Sequence, residues 1–208
     1  KPGDEEAVFK VREYAKFITG FKEVILHFQE TNDFFKNMRE AHKIPLLVYD
    51  KMIRMEDDNV VSSFFLEFMN QALEYYKDDE SILGVTGYSP PINQTQYVSD
   101  DIYLSHFWSA WTMGVWKHKE LLDFLAQENP YADMLRNKLR SRVGDLHPKL
   151  HLALKRMDEG THVAGDQKLT YYMIKHGLYQ IKPVKSLVKN IGHDGSGVHC
   201  GVSDRFNQ

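Results

Sequence analysis

The sequence predicts an α/β protein with a mostly parallel central sheet flanked by helices. Through residue 89, short apolar runs of strand length alternate with amphipathic segments of helix length. This alternation is typical of layered folds in which helices connect parallel strands. The sequence also contains no internal repeat, low-complexity segment or clear linker. We therefore expect residues 1–208 to form a single domain.

The first half contains two convincing amphipathic helices. Residues 4–19 place apolar side chains three and four positions apart, begin with an acidic cap and end at Gly20. Residues 62–79 repeat this spacing, with Ser62 or Ser63 as the predicted cap. A further helix is predicted at 33–42, ending before Pro45. Three strands are predicted, at 21–28, 51–55 and 81–89.

The second half is less regular. After a polar loop at 90–100, residues 101–117 combine a strand with an aromatic turn that contains a glycine. A strand in "LYQIKP" and a glycine-rich tail close the chain. Between them we expect helical stretches, at 118–128, 130–142, 147–159 and 166–176.

Composition excludes several function classes. The net charge is −3 with both signs interspersed, so there is no basic stripe for nucleic acid. One cysteine, Cys200, excludes an intrachain disulfide and a zinc site built from several thiolates. No apolar run approaches the roughly 20 residues that span a bilayer, and the first residues do not resemble a signal peptide. We expect a soluble intracellular protein.

Three consecutive carboxylates, Glu56, Asp57 and Asp58, follow the predicted strand at 51–55. In open α/β sheets, ligands bind at the carboxyl ends of the strands. Carboxylates, water and substrate phosphates are the ligands that Mg²⁺ and Mn²⁺ prefer. Adjacent like charges also repel unless a cation or hydrogen-bond donors relieve them. The triplet predicts a cation site; the alternative is that these acids cap the following helix.

The glycine-rich tail is a second candidate site. Gly192, Gly195 and Gly197 favour a backbone nest that binds phosphate, and His199 is a candidate metal ligand beside them. The alternative is an irregular terminal loop whose glycines form turns.

Two other features fit either a structural or a functional role. Trp108, Trp111 and Trp116 lie within nine residues around Gly114, and such rings line apolar pockets, stack on sugars or form an aromatic core. Asp166 begins a predicted helix, where it fits an N-cap or a catalytic base.

The segment "MIRMEDDNVVSSFFLEFMNQALEYYKDDESILGVTGYSPP" resembles bacterial glycosyltransferases of the GT-A fold, of the family-2-like kind. Those enzymes carry "EDD", then a helix of the form "FLxxMNxALxxYxDD", then "xxSGY". The resemblance continues through the Trp/Gly segment at 108–117 to "PVKSLVKNIGHDGSGVHC", and "KPGDEEAVFKVREYAK" matches the segment after the family's first strand. It covers nearly the whole chain.

The resemblance implies a metal-dependent enzyme that transfers a sugar from a nucleotide-diphosphate donor to a hydroxyl of a glycan or lipid-linked acceptor, as in polysaccharide biosynthesis. Asp58 would bind Mn²⁺ or Mg²⁺, joined by His199, and Glu56 and Asp57 would face the nucleoside. The pocket for the sugar or acceptor would be lined by Trp111, Gly114 and Trp116.

In the same family, a residue at the position of Asp166 is often the general base, which favours inversion of the anomeric configuration. Residues 1–100 would then be the nucleotide-binding half and 101–208 the acceptor-binding half. The implied location is the cytoplasm, free or peripheral at the inner membrane, and a homodimer is compatible with the sequence.

Three departures from the family pattern leave alternatives open. The chain reads "WTMGVW" where relatives often have W-G-W, and Gly165 precedes Asp166 where many have Trp. The family's first strand, which helps hold the nucleoside, has no counterpart, so we expect an N-terminally truncated fold. The alternative functions are a non-catalytic or degenerate fragment of that fold and, ranked last, a metal phosphohydrolase.

Overall fold

The computed structural model describes residues 3–91, 101–119, 121–193, 195 and 202–203. The chain forms two compact units, Lys1–Leu47 and Val48–Gln208. The boundary between the predicted halves, 1–100 and 101–208, lies elsewhere, and the assignment of the chain to one domain stays a prediction.

The first unit contains helix α1, Glu5–Ala15, and most of helix α2, Phe34–Val48. The predicted strand at 21–28 is wrong, because these residues have no strand partner in the described chain and their side chains are exposed. The apolar run was present, but a strand also needs a neighbour to accept its hydrogen bonds. The predicted end of α2 before Pro45 is also wrong: the helix continues through this residue although proline donates no backbone hydrogen bond.

The second unit is built on a five-stranded sheet with the order β1-β5-β3-β6-β4. Two further strands form a separate pair, β2 with β7. The strands are β1 Lys51–Met55, β2 Asn59–Val61, β3 Ile82–Val85, β4 Ile102–Ser105, β5 Thr112–Trp116, β6 Tyr179–Pro183 and β7 Val188–Asn190.

The five-stranded sheet is mixed. Only β3 and β6 pair in parallel, whereas β5 runs antiparallel to both β1 and β3, and β4 runs antiparallel to β6. The α/β class is therefore confirmed, while the expected parallel arrangement holds for one pair of neighbours. Because β1, β3 and β6 run in one direction, their carboxyl ends still meet at a common edge, which we call the carboxyl edge.

The predicted aromatic turn within 101–117 is wrong. Residues 112–116 form strand β5, whose five residues are all buried between β1 and β3. Gly114 explains how this segment fits: a Cβ there would lie 3.0 Å from side-chain carbons of Met69 and Leu73. The glycine in this run permits close helix packing and makes no turn.

The two faces of the sheet are covered differently. Helix α3 packs on one face through Phe65, Met69 and Leu73, and Trp108 packs on the other, where its ring would contact a Cβ at Gly84 at 2.9 Å. The remaining helices form a separate apolar cluster centred on Leu154. The helices of this unit are α3 Phe65–Tyr75, α4 Leu121–Ala126, α5 Pro130–Arg136, α6 Arg140–Leu146, α7 Leu150–Asp158 and α8 Gly165–His176.

Two helix predictions need correction. The stretch at 130–142 is two helices, because Lys138 adopts a left-handed φ of 57° that no α-helix can continue. The N-cap of α3 is Phe64 and no side chain caps it; the backbone carbonyl of Ser62 instead accepts a hydrogen bond from the amide of Phe65.

Candidate functional site

The acidic triplet forms a tight turn at the carboxyl edge. β1 ends at Met55, and the amide of Asn59 closes the turn by donating to the carbonyl of Glu56 at 3.2 Å. The side-chain amide of Asn59 also donates to that carbonyl, at 3.3 Å, and to Oδ1 of Asp58, at 2.9 Å. This turn, which we call the acidic turn, connects the five-stranded sheet to β2.

The pairing of β2 with β7 brings the start of the glycine-rich tail onto the acidic turn. Asn59 pairs with Asn190, and the amide of Ile191 donates to the carbonyl of Asp58 at 2.8 Å. A Cβ on Gly192 would lie 2.3 Å from Oδ2 of Asp58. Because Gly192 has no side chain, the Asp58 carboxylate can occupy this space.

The acidic turn is electrostatically strained. Burial raises the pKa of Glu56, Arg54 opposes this shift, and the charges of Asp58, Asp57 and Asp166 raise the pKa further. Asp166 thus lies within electrostatic reach of the acidic turn although the two are distant in sequence. A carboxylate group whose neighbours disfavour its charge gains stability when a cation or a donor group arrives.

Arg54 is the cation beneath this turn, and sequence reasoning missed it. Its side chain is 14% exposed, and one of its terminal nitrogens lies 3.3 Å from Oε1 of Glu56 and 3.4 Å from the carbonyl of Ala110. Its Nε is buried without a hydrogen-bond partner in the described part of the chain. Alternation along β1 was the available signal, since a charged residue inside a buried strand needs a partner.

Asp166 is the second residue of α8, whose N-cap is Ala164. The predicted N-cap role of Asp166 is therefore wrong. Its backbone carbonyl accepts a hydrogen bond from Oγ1 of Thr170 at 2.9 Å, and the same Oγ1 accepts the amide of Trp108 at 3.0 Å. The start of α8 is thus tied to the segment that leads into β5.

Trp111 lies beside the acidic turn. It precedes Thr112, which pairs with Met55, the last residue of β1. Its ring centroid is 4.2 Å from that of Tyr88 and 5.5 Å from that of His193. The segment after β3, the segment before β5 and the tail therefore each contribute an aromatic or imidazole ring to the same edge.

Gly114 and Trp116 lie elsewhere. Gly114 faces α3, as described above. Trp116 pairs with Lys51 at the opposite end of β1, and its indole nitrogen donates to the carbonyl of Leu73 at 2.9 Å. Their positions give packing roles to both residues, because α3 covers them.

The residues of the acidic turn fit a cation held mainly by one protein carboxylate. Within the described ranges, no group of three or more His, Cys, Asp or Glu side chains is arranged to hold a metal. Oδ2 of Asp58 accepts no hydrogen bond within the turn, in contrast to Oδ1. Mg²⁺ and Mn²⁺ are commonly held by one or two carboxylates, with water and substrate phosphates completing the shell. His199, Gly197 and Cys200 lie outside the described residues.

Comparisons with known proteins add no relative. No family model matches the chain, and no curated protein matches it. Among the described residues, no helix has both the length and the apolar character needed to cross a bilayer. The resemblance to GT-A glycosyltransferases stays a prediction carried by the motifs quoted above.

Proposed function

We propose that the protein is a metal-dependent glycosyltransferase that transfers a sugar from a nucleotide-diphosphate donor to a hydroxyl group of a glycan or lipid-linked acceptor. The observation that carries this proposal is the packing of Gly192 against the Asp58 carboxylate in the acidic turn at the carboxyl edge, where the charge of Asp166 also raises the pKa of Glu56. Ligands of open α/β sheets bind at such an edge.

The acidic turn provides the donor side of the proposed site. Oδ2 of Asp58 is the candidate ligand for Mn²⁺ or Mg²⁺, which would neutralise charge on the leaving diphosphate. Glu56, held by Arg54, and the exposed Asp57 are positioned to accept hydrogen bonds from the nucleoside. Trp111 provides a flat apolar surface next to them.

Asp166 provides the acceptor side. In the proposed reaction, the acceptor oxygen forms a bond to the anomeric carbon while the bond from that carbon to the diphosphate oxygen breaks. The bonding electron pair leaves with the nucleoside diphosphate, and the hydroxyl proton moves to the Asp166 carboxylate. Direct attack of this kind inverts the anomeric configuration.

Calorimetry tests the donor side. We expect UDP or GDP to bind with Mn²⁺-dependent heat, and Asp58→Ala to weaken that binding at least about tenfold, which is ~1.4 kcal/mol. Asp78→Ala removes an exposed acid beyond the end of α3 and is the matched control. Metal-dependent binding that survives in Asp58→Ala would remove Asp58 from its role. A wild-type protein that gives no metal-dependent heat would favour the non-catalytic alternative.

Turnover tests the acceptor side. A panel of UDP- and GDP-sugars, scored by release of the nucleotide, should reveal a donor. Asp166→Asn is nearly isosteric, and we expect it to lower turnover about 10²- to 10⁴-fold while nucleotide affinity stays unchanged. Asp166→Asn turnover equal to that of the wild type would exclude Asp166 as the base.

A further inference from the structure

Residues 21–28 have the composition of a strand but no strand to pair with. In the part of the chain that the structure describes, none of their backbone amides or carbonyls makes a hydrogen bond. Only water can satisfy these groups in the isolated chain. A row of unpaired amides and carbonyls is also a template on which another strand can form.

The apolar side chains of this segment are exposed together with its backbone. Ile25 is 76% exposed and Phe21 is 69% exposed. The other three apolar side chains are also exposed: Val24, Leu26 and Phe28. A strand that added to this segment would therefore remove apolar surface from water as well as satisfying the backbone.

The first unit holds this segment by its C-terminal end. Nε2 of His27 lies 2.8 Å from Oε2 of Glu40 in α2. The guanidinium of Arg12 in α1 lies 5.2 Å from the centroid of the Phe28 ring and donates to the carbonyl of Gln29 at 2.6 Å. These contacts fix the end of the segment and leave residues 21–26 without a hydrogen bond in the described chain.

The first unit as a whole has no apolar core of its own. Among its described residues only His42 is buried, whereas fifteen large apolar side chains are exposed. At about 100 Å² each, these side chains present roughly 1,500 Å², and each partner in a stable interface buries about 800 Å². A two-stranded pair alone is only marginally stable, so this additional apolar surface is what a stable dimer needs.

The charge of the first unit favours a second copy over other partners. Residues 1–47 contain eight Lys or Arg side chains and eight Asp or Glu side chains. No net charge therefore opposes the association of two copies. Equally, no excess positive charge attracts an anionic lipid surface or a nucleic acid.

The segment is also complementary to itself in one antiparallel register. With a two-fold axis at Ile25, this residue lies opposite the same residue of the second copy. Val24 then lies opposite Leu26, and Glu23 lies opposite His27. Apolar pairs and pairs of opposite charge directly across two strands both stabilise a sheet.

We propose that residues 21–28 pair antiparallel with the same residues of a second copy of this chain, so that the protein forms a two-fold symmetric dimer. The predicted strand at 21–28 would then form on association. This inference concerns the first unit and does not depend on the proposed function.

Disulfide crosslinking in the intact chain tests the register. In a Cys200→Ser background, Ile25→Cys places two thiols opposite each other across the axis, at a separation that a disulfide can span. We expect mild oxidation to convert most of this variant to a species of twice the 24.3 kDa chain mass on a non-reducing gel. Lys22→Cys in the same background is the matched control, because its thiol lies opposite Phe28 and far from its own copy.

Sedimentation tests the association itself. We expect the wild type to be a dimer, and Ile25→Lys, which sets two like charges against each other at the axis, to raise the dimer Kd about 10- to 100-fold. Ile25→Val keeps an apolar side chain and should keep the dimer. Circular dichroism of Ile25→Lys should match that of the wild type, because the side chain is exposed in the isolated chain.

Three results would overturn this inference. The first is a wild-type chain that stays monomeric at about 100 μM, a concentration well above the Kd of a stable dimer. The second is a dimer that Ile25→Lys leaves unchanged, which would place the interface elsewhere. The third is equal crosslinking of Lys22→Cys and Ile25→Cys. A monomeric wild type that floats with phosphatidylcholine vesicles would identify a lipid surface as the partner instead.

Discussion

Two partly buried groups of charges in the second unit differ in how fully hydrogen bonds and opposite charges compensate them. In the helical cluster, Asp133 accepts hydrogen bonds from Tyr171 at 2.5 Å and from Lys175 at 2.8 Å. In the acidic turn, Glu56 has one long contact, 3.3 Å, to Arg54. Burial alone would raise the pKa of both acids, but the two donors lower the pKa of Asp133 while that of Glu56 stays raised.

This difference separates a structural charge from one available to a ligand. Asp133 and Lys175 are only 19% and 20% exposed, and each has the other as a partner. The negative charge of the acidic turn exceeds what Arg54 neutralises, so a cation or donor group would lower its free energy. We therefore expect mutations at Asp133 to change stability and mutations in the acidic turn to change ligand binding.

The largest expected effect is at Asp133. Asp133→Ala leaves Lys175 and Tyr171 without their acceptor, and we expect unfolding free energy to fall by about 3 kcal/mol at neutral pH. Because the pKa of Asp133 is lowered, its contribution is complete above the ordinary value of 3.8 and disappears as pH falls through the folded-state pKa. Urea denaturation at several pH values measures both effects. Asp123→Ala, at an exposed position of α4, is the control, and an equal loss there would contradict the assignment.

A pair of glycine substitutions gives an intermediate effect. A Cβ at Gly192 would meet the Asp58 carboxylate and one at Gly114 would meet Met69 and Leu73, so each Gly→Ala change should cost about 1–3 kcal/mol. Gly192→Ala should also weaken Mn²⁺-dependent nucleotide binding, because it displaces the Asp58 carboxylate. Gly114→Ala should leave binding unchanged, since Gly114 faces α3. Thermal melts measure the stability loss and calorimetry measures nucleotide affinity. Equal nucleotide affinities for the two variants would contradict the assignment of Gly192, and not Gly114, to the binding site.

The smallest expected effect has the opposite sign. The folded-state pKa of Glu56 is raised, so its ionisation opposes folding; that cost is absent below the ordinary value of 4.5 and complete above the folded-state pKa. Glu56→Gln should therefore stabilise the protein at neutral pH by about 0.5 kcal/mol or less, because solvent screens this group, whose side chain is 36% exposed. The gain should vanish at acid pH. A destabilised Glu56→Gln at neutral pH would mean that the Arg54 contact outweighs the repulsion.

Local sequence patterns predicted helices and strands correctly where the apolar side chains of the pattern are buried in the folded chain. The apolar stripe of α3 and the run of β1 were both expected, and both contribute to one core. The segment at 21–28 had a comparable pattern but has no strand neighbour, and residues 112–116 form a buried strand although their glycine and tryptophans indicated a turn. In each case, the deciding factor was a partner elsewhere in the chain.

The candidate site follows the same rule. The acidic triplet was recognisable because three adjacent carboxylates after a strand require an explanation. Arg54 was missed because its importance depends on Glu56 and the carbonyl of Ala110, which contact it in the folded chain. A single arginine is common in a sequence, and no local pattern marks this one.

By itself, the sequence determined the α/β class, the amphipathic helices and the acidic residues at the end of β1. Only the tertiary structure decided that β5 lies between β1 and β3, that β2 pairs with β7, and that Gly192 packs against the acidic turn. The physical reason is that helical periodicity and turn chemistry act over a few residues, whereas strand pairing and electrostatic contact join residues far apart in the chain.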